Sequence, residues 1–459
     1  MGHVVVLGLG VTGDAVARYA RAAGDRVTVL EDEPRADAAY RARADAAAAL
    51  GAEVLEAPAP SVVAEVAPGA DLLVPSPGVP ARHAAIAAAQ AAGVPVRAEI
   101  DLAAEAAGDT PLVAITGTNG KTTVTTLVTA MLTASGVDAR AAGNIGTALL
   151  DAAGEPADVL VAEVSSFQLA FTTPAFRPRV AVLLNLADDH LDWHGSQAAY
   201  AAAKARVFAH QGGGDLLVFN ADDAQVTALA ATAPARRVGF SLRPGHTLGY
   251  RVGAGGLVAP GGGDIAPLET VGDAPHERAN ALAAVAAALD VGATPEGVRD
   301  ALRGFNGLPH RLAPVGEAGG VRYYDDSKAT NPHATVTAVT ATTVPVVLVA
   351  GGRNKGLDLS VLRRLAEHLR AVVAIGEAAS EIEAAFSGVV PVAVATRMRD
   401  AVERASALAE PGDVVILSPA CASLDWYPNY AARGDDFAAE VARLVGGRPA
   451  GASHAGVPE

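Results

Sequence analysis

Short apolar runs alternate along this chain with longer stretches whose apolar positions recur at helical spacing, a pattern that predicts parallel sheets covered by helices. "VVVLG", "RVTVLE", "EVLEA" and "DLLVPSPGV" read as strands, with "DAVARYARAAG" and an Ala-rich segment near 36–50 as helices between them. This set closes near residue 100. A second set opens with "PLVAITG", continues through the helix "KTTVTTLVTAMLTASG" and the strands "DVLVAEVSS", "VAVLLNL" and "DLLVFN", and ends in the helix "ERANALAAVAAALDVGA". Between about 240 and 272 the chain is rich in Gly and Pro, which predicts a small antiparallel excursion. After "GFNGLPHR" come the strands "VRYYDDS", "VPVVLVAGG", "AVVAIG" and "DVVILSPA", with "LSVLRRLAEHLR" and "MRDAVERASALA" as helices. The expectation is an α/β protein of three domains, 1–100, 101–308 and 309–447, with a disordered tail over 448–459.

Composition narrows the chemistry. Of 459 residues, 51% are apolar and 19% charged, and the formal net charge is -15. An acidic chain of this kind argues against nucleic-acid binding, which needs a basic face. No run approaches the length of a membrane span, and "MGHVVVLGLG" runs into a strand with no charged leader, so a cytoplasmic protein without membrane insertion is expected. The single cysteine, Cys421, leaves no internal disulfide and reads as a small buried residue.

The basic residues are unevenly chosen. Only four are lysine (Lys121, Lys204, Lys328 and Lys355), against thirty-one arginines. A chain that uses Arg for generic positive charge marks each Lys as a position where a guanidinium will not serve. Lysine is a compact charge and can become a neutral nucleophile.

"AITGTNGKTTV" joins a strand, a Gly-rich turn and a helix opening on Lys and two Thr, the arrangement that cradles nucleotide phosphates. The usual pattern G-x-x-x-x-G-K-[ST] would put its first glycine at Ile115. The glycine is instead Gly117, so the loop is two residues short. Lys121 would meet the outer phosphates, and the Thr122 hydroxyl suits Mg2+. Carboxylates for that ion are sought at strand exits, where Glu163 ends one apolar strand and Asp188, Asp189 and His190 follow another. Lys204 sits in an outwardly plain helix, where a solvated charge is the ordinary reading and a reactive amine the alternative. Gly8, Gly10 and Gly13 after the first strand, with Glu31 ending the second, imitate a dinucleotide fingerprint, but such a loop holds any diphosphate. "PSPGVP", "YYDDSKATNPHA", "VAGGRNKG" and "LSPACASLDWYPNY" mark further loops at strand ends.

Taken in order, "GTNGKTT", "EVSSFQL", "NLADDHLDWHG", "AYAAAK", "GLPHR", "DDSKATNPHA" and "SPACASLDWYPNYAARGDDF" resemble the Mur ligases, in particular their D-glutamate-adding branch, from about residue 4 to 446. The shortened phosphate loop is that superfamily's version. The resemblance implies a Rossmann-like N-terminal domain for a UDP-linked substrate, a central P-loop-type ATPase domain with a mostly parallel sheet, and a Rossmann-like C-terminal domain for the amino acid. It implies ATP-dependent addition of D-glutamate to UDP-N-acetylmuramoyl-L-alanine by a monomer, in peptidoglycan precursor synthesis. By the same resemblance, Val11, Thr12, Ser76, Pro77, Gly78, Asn144 and His190 hold the UDP substrate. Gly117, Thr118, Asn119, Gly120, Lys121, Thr122 and Thr123 hold ATP, with Asn280 and Arg311 near its base and ribose and Asp326 nearby. Thr122, Glu163, His190 and Lys204, the last as a carbamate, are ligands for two Mg2+, and Lys121, His190 and Lys204 are catalytic. Lys328, Thr330, Lys355, Ser423, Leu424 and Tyr430 receive D-glutamate. The chain departs from the pattern at "LEDEP", which brings no basic residue to the uridine. It departs again at Tyr430, where Phe is frequent, and at Ala187–Asp188, where Thr-Glu occurs. The alternatives are a sister ligase or folylpolyglutamate-type synthetase, an NAD-dependent dehydrogenase that would leave the second loop and all four lysines without a role, and an inactive binding protein.

Overall fold

A computed structural model describes residues 2–34, 38–243, 245–246 and 248–446; the tail expected over 448–459 lies outside them. The described residues form three sheets. In the first, β1 (His3–Leu7), β2 (Arg26–Glu31), β3 (Glu53–Glu56) and β4 (Leu72–Pro75) lie in the order β3-β2-β1-β4, all parallel. The second comprises β5 (Leu112–Thr116), β6 (Ala139–Gly143), β7 (Val159–Glu163), β8 (Val180–Leu183), β9 (Leu216–Asn220), β10 (Arg236–Ser241), β11 (Tyr250–Val252), β12 (Gly256–Val258) and β13 (Asp264–Pro267). Their order is β13-β12-β11-β10-β9-β8-β5-β7-β6. The excursion expected between 240 and 272 is β11–β13, whose two pairings are antiparallel.

The third sheet orders β14 (Ala313–Ala318), β15 (Val321–Asp325), β16 (Val346–Gly351), β17 (Leu369–Ile375), β18 (Val392–Val394) and β19 (Val414–Ala420) as β14-β15-β19-β16-β17-β18. It is parallel except for β14, which a Gly319–Gly320 turn folds back against β15. The sequence pattern passes over β6, β10, β14 and β18. "ARAAG" and "RRVGFS" carry too little apolar alternation to be read as strands, and β6 and β10 are set instead by pairing with β7 and β9.

The segment expected as an α-helix at 359–370 is a 3-10 helix over Leu359–His368. Its buried residues, Leu359, Leu362 and Leu365, are spaced by three. That spacing matches the three-residue turn of a 3-10 helix and draws one apolar row onto the sheet.

The chain separates into two compact units. One holds Met1–Leu186, Ala198–Asp273 and Glu277–Phe305; the other holds Ala187–Gln197, Ala274–His276 and Asn306–Glu459. Within the first unit an apolar core runs unbroken from Val4, Val6 and Val29 through Ile100 to Leu160, Leu183 and Leu217, so the first two sheets share packing. In the second unit, the two faces of the third sheet pack against separate clusters.

Parallel strands put all their C-terminal ends on one edge, and the order β8-β5-β7-β6 decides which loops are neighbours there. The turn after β5 lies between the exits of β7 and β8, and β6 exits beside β7. Register fixes the match further, with Ile115 opposite Glu163, Thr116 opposite Leu183 and Gly143 opposite Glu163.

One carboxylate is folded into this core. Glu99 opens the helix Glu99–Ala107 and is 1% exposed; its Oε1 accepts the Leu150 N–H at 2.6 Å, and its Oε2 has no hydrogen-bond partner. Burial pushes its pKa up to about 7 from 4.5. A raised carboxyl pKa means that the folded state binds the extra proton, so Glu99 costs stability as pH rises from about 4.5 through 7. Glu99→Gln should flatten the stability profile across that window. By pH 8 the variant should gain up to about 3 kcal/mol on wild type, read from chemical denaturation at a series of pH values. Parallel profiles would contradict this.

Candidate active site

Two glycines determine the backbone of the loop after β5. Gly117 has φ 158°, and a Cβ there would stand 2.8 Å from Leu184 Cβ. Gly120 is left-handed, with φ 88°, and a Cβ would stand 2.5 Å from Asn280 Oδ1. Any larger residue at 120 would meet both backbone strain and a clash. The next strand exit then braces the loop. Asn185 accepts the Asn119 N–H on its side chain at 2.8 Å, returns Nδ2 to the Asn119 carbonyl at 3.0 Å, and accepts the Thr118 N–H on its backbone at 3.0 Å.

Lys121 starts the helix Lys121–Ala134, whose N-cap Gly120 offers no side-chain cap. The N-terminal end of that helix, with its dipole, favours an anion beside the loop. Lys121 Nζ bends back to the Gly117 and Thr118 carbonyls, both at 2.9 Å. Thr122 donates to Glu163 Oε2 at 2.7 Å, and Asn144 donates to Glu163 Oε1 at 2.9 Å. Thus Gly117, Thr118, Asn119, Gly120, Lys121, Thr122, Thr123, Asn280, Glu163 and Asn144 lie together in the first unit.

Lys204 overturns the ordinary reading of a helical lysine. It lies in the last turn of the helix Gln197–Ala205 and is 1% exposed. Its Nζ donates to the Gly117 carbonyl at 2.8 Å and to Thr116 Oγ1 at 3.4 Å, and sits 4.7 Å from the centre of the Tyr200 ring. Tyr200 lies one helical turn earlier on the same face, and its hydroxyl is 3.0 Å from Thr118 Oγ1. The ammonium groups of Lys121 and Lys204 therefore converge on a single carbonyl. Such crowding of positive charge in a buried place attracts an anion.

Of the expected Mg2+ donors, Thr122 and Glu163 lie together at this loop. Among the described residues no group of three or more His, Cys, Asp or Glu gathers as a metal cluster. What the loop offers is one buried carboxylate, Glu163, bonded to one hydroxyl, Thr122. Mg2+ bound mainly through phosphates and waters asks for little more from protein.

A cavity of about 840 Å³ opens at the ends of β1 and β4, and Val11, Thr12, Ser76, Pro77, Gly78 and Asn144 all line it. Glu31, which also lines the cavity, accepts the Leu9 N–H at 2.7 Å and fastens the glycine turn. Three further lining residues escape the sequence pattern. Arg43, whose Nε donates to the Leu9 carbonyl at 3.0 Å, brings the positive charge that "LEDEP" lacks. Tyr40 donates to Glu56 at 2.8 Å. His83 takes the Ala85 N–H on Nδ1 and hands Nε2–H to Asp32 at 2.7 Å. Arg43 and Tyr40 had a signal in their three-residue spacing on one helix; His83 had none.

The remaining expected residues lie in the second unit. His190 has φ 52°, a strained conformation for a non-glycine residue. Its N–H bonds to Asp189 Oδ1 at 2.9 Å. Asp189, read from sequence as a strand-exit carboxylate for metal, is instead paired with Lys355 at 2.5 Å. Lys328 Nζ stands 3.8 Å over the Tyr430 ring, and its N–H bonds to the His310 carbonyl at 3.1 Å. Thr330 donates its N–H to the Lys328 carbonyl at 2.9 Å. Asp326 accepts from Ser418 at 2.7 Å, and burial pushes its pKa up to about 7 while nearby Arg311 opposes the rise. Ser423 is buried and Leu424 exposed. Sequence reasoning missed Arg433. This fully buried guanidinium donates to Ser327 Oγ, to the Ser327 carbonyl and to the Cys421 carbonyl, at 2.8 to 3.1 Å, tying two of the loops together. Cys421 is buried, and its thiol is pushed up to about 12, as an inert packing residue should be.

Comparison with known proteins covers almost the whole chain. Residues 2–98 match the Mur ligase MurD-like N-terminal domain, 115–288 the Mur ligase middle domain, and 310–421 the Mur ligase glutamate ligase domain. A UDP-N-acetylmuramoylalanine--D-glutamate ligase of Frankia casuarinae is 46% identical over 451 residues, covering 95% of this chain and 93% of that one. A protein of the same name from Shouchella clausii is 42% identical over 446 residues, covering 96% and 97%. The solved structure of UDP-N-acetylmuramate-alanine ligase MurC from Thermotoga maritima aligns with a TM-score of 0.60 at 18% identity, covering 97% of this chain and 100% of that one, which shows a common fold.

Proposed function

The chain belongs to the Mur ligases, and on that premise we propose that it joins D-glutamate to UDP-N-acetylmuramoyl-L-alanine at the expense of ATP, a step in making peptidoglycan precursor. The three sheets then correspond to three working domains: 1–100 for the UDP substrate, 101–308 for ATP and 309–447 for the amino acid. No helix among the described residues is long and apolar enough to cross a membrane. The proposed reaction uses small soluble substrates, and the reading places the protein in the cytoplasm as a monomer.

The observation that carries the reading is the convergence of Lys121 and Lys204 on Gly117 beneath an uncapped helix N-terminus. A carboxylate is a poor electrophile. Transfer of the ATP γ-phosphoryl group to it gives an acyl phosphate, from which the amine of D-glutamate expels phosphate to form the amide. The protein's part is to position the reactants and neutralise charge. Lys121 and the backbone amides of 118–123 would hold the phosphates, while Asn280 and Arg311 orient the nucleoside and Asp326 assists. Val11, Thr12, Ser76, Pro77, Gly78 and Asn144 would hold the UDP substrate, with His190 reaching its acyl end.

Thr122, Glu163, His190 and Lys204 would hold Mg2+, as two ions. Mg2+ bound there would spread the charge that builds on the transferring phosphoryl group. Lys204, carried as a carbamate, would convert a buried cation into an oxygen ligand and relieve its crowding against Lys121. Lys328, Thr330, Lys355, Ser423, Leu424 and Tyr430 would receive D-glutamate.

The deciding assay is phosphate release from ATP with UDP-N-acetylmuramoyl-L-alanine and, in turn, D-glutamate, L-glutamate, L-alanine and meso-diaminopimelate. Release with D-glutamate alone is expected, and release with a different amino acid would move the protein to a sister activity. For Lys204→Ala, turnover should fall by at least about a hundredfold, with the circular dichroism spectrum retained. Wild-type rates in that variant would remove the carbamate from the account.

A further inference from the structure

The second unit contains a buried ion pair that the expected role of Lys355 leaves unexplained. Lys355 is to receive a carboxylate of the incoming amino acid, yet its Nζ is held 2.5 Å from Asp189 Oδ1, with the two side chains only 14% and 6% exposed. Asp189 is itself firmly placed. Its Oδ2 accepts Asn331 Nδ2 at 3.2 Å, while Asn331 Oδ1 caps the helix Pro332–Thr340 through the Ala334 N–H at 2.9 Å. Its Oδ1 accepts the His190 N–H and so helps to hold that residue in its left-handed conformation.

We propose that Asp189 is the seat for the ammonium group of the incoming amino acid, and that the Lys355–Asp189 pair is a template into which the amino acid's own zwitterion inserts. This inference rests on the proposed ligase reading. A carboxylate that merely took Lys355 away would cost buried Asp189 its shortest charged contact and leave it the Asn331 amide, the His190 N–H and His190 Nε2 at 3.6 Å, a weaker balance for a buried anion. An α-amino acid avoids that outcome. Its carboxylate replaces Asp189 on Lys355, its ammonium replaces Lys355 on Asp189, and one internal ion pair becomes two with the ligand. Simple dicarboxylates offer only half of the exchange and are rejected.

The test compares D-glutamate with glutarate, which has the same carbon chain and both carboxylates but no amine. In wild type, the Ki of glutarate should exceed the KM of D-glutamate by at least about tenfold. In Asp189→Asn the KM should rise by about tenfold or more while the Ki for glutarate stays within about threefold, so the discrimination collapses. Asp189→Glu, which keeps the charge, should recover part of it. Neither constant depends on the fraction of folded enzyme; if the Asn variant does not turn over, titration calorimetry of both ligands gives the same ratio. Discrimination preserved in the Asn variant, or D-glutamate bound more tightly by it, would overturn the proposal. A wild type that releases no phosphate with D-glutamate would instead overturn the ligase reading beneath it.

Discussion

The carbonyl of Gly117 accepts hydrogen bonds from two lysines, Lys121 at 2.9 Å and Lys204 at 2.8 Å, and much of the first unit is arranged so that it can. A loop two residues shorter than the usual phosphate cradle has less backbone to wrap an anion, and here buried side chains brace it from below. Asn185 holds Asn119 from one neighbouring strand exit, and Glu163 holds Thr122 from the other. Tyr200 and Lys204 support it from the helix beneath. Each prop comes from an element whose place is fixed by the order β8-β5-β7. The order of the strands therefore determines which side chains meet at the loop after β5.

The second unit shows the same economy with charge. Its two lysines are also engaged, Lys328 over the face of Tyr430 and Lys355 on Asp189. Arg433 is buried, with its donors on Ser327 and Cys421. Arginine has the structural post, where a planar fork with several donors satisfies fixed acceptors at once. Lysine is a compact charge better suited to exchanging partners. All four lysines stand in loops or helix turns, in a chain whose other basic side chains are arginine.

Much of this was legible in the sequence because the relevant signals are local. The parallel strands are continuous apolar runs, the loop after β5 announces itself by Gly117, Gly120 and Lys121, and the scarcity of lysine singled out Lys204 before its burial was known. The resemblance to Mur ligases rested on short motifs, and the three domain matches follow it from residue 2 to 421. What escaped was non-local. The edge strand β6 and the interior strand β10 depend on partner strands rather than on their own pattern. The 3-10 geometry of Leu359–His368 depends on the sheet beneath its leucines. Arg43 and His83 reach the 840 Å³ cavity only because of where their helices dock. Asp189 stood in a legible motif, yet nothing in "LADDH" reveals that its partner is Lys355, more than a hundred residues away.

The central claim is that this loop activates a carboxylate by phosphoryl transfer, and isotope transfer tests it most directly. UDP-N-acetylmuramoyl-L-alanine labelled with oxygen-18 in both carboxyl oxygens would be turned over with ATP and D-glutamate, and the released phosphate examined by mass spectrometry. An acyl phosphate requires one labelled oxygen to leave with each phosphate while the other stays in the new amide. Phosphate free of label, with both labelled oxygens left on the UDP substrate, would contradict the account.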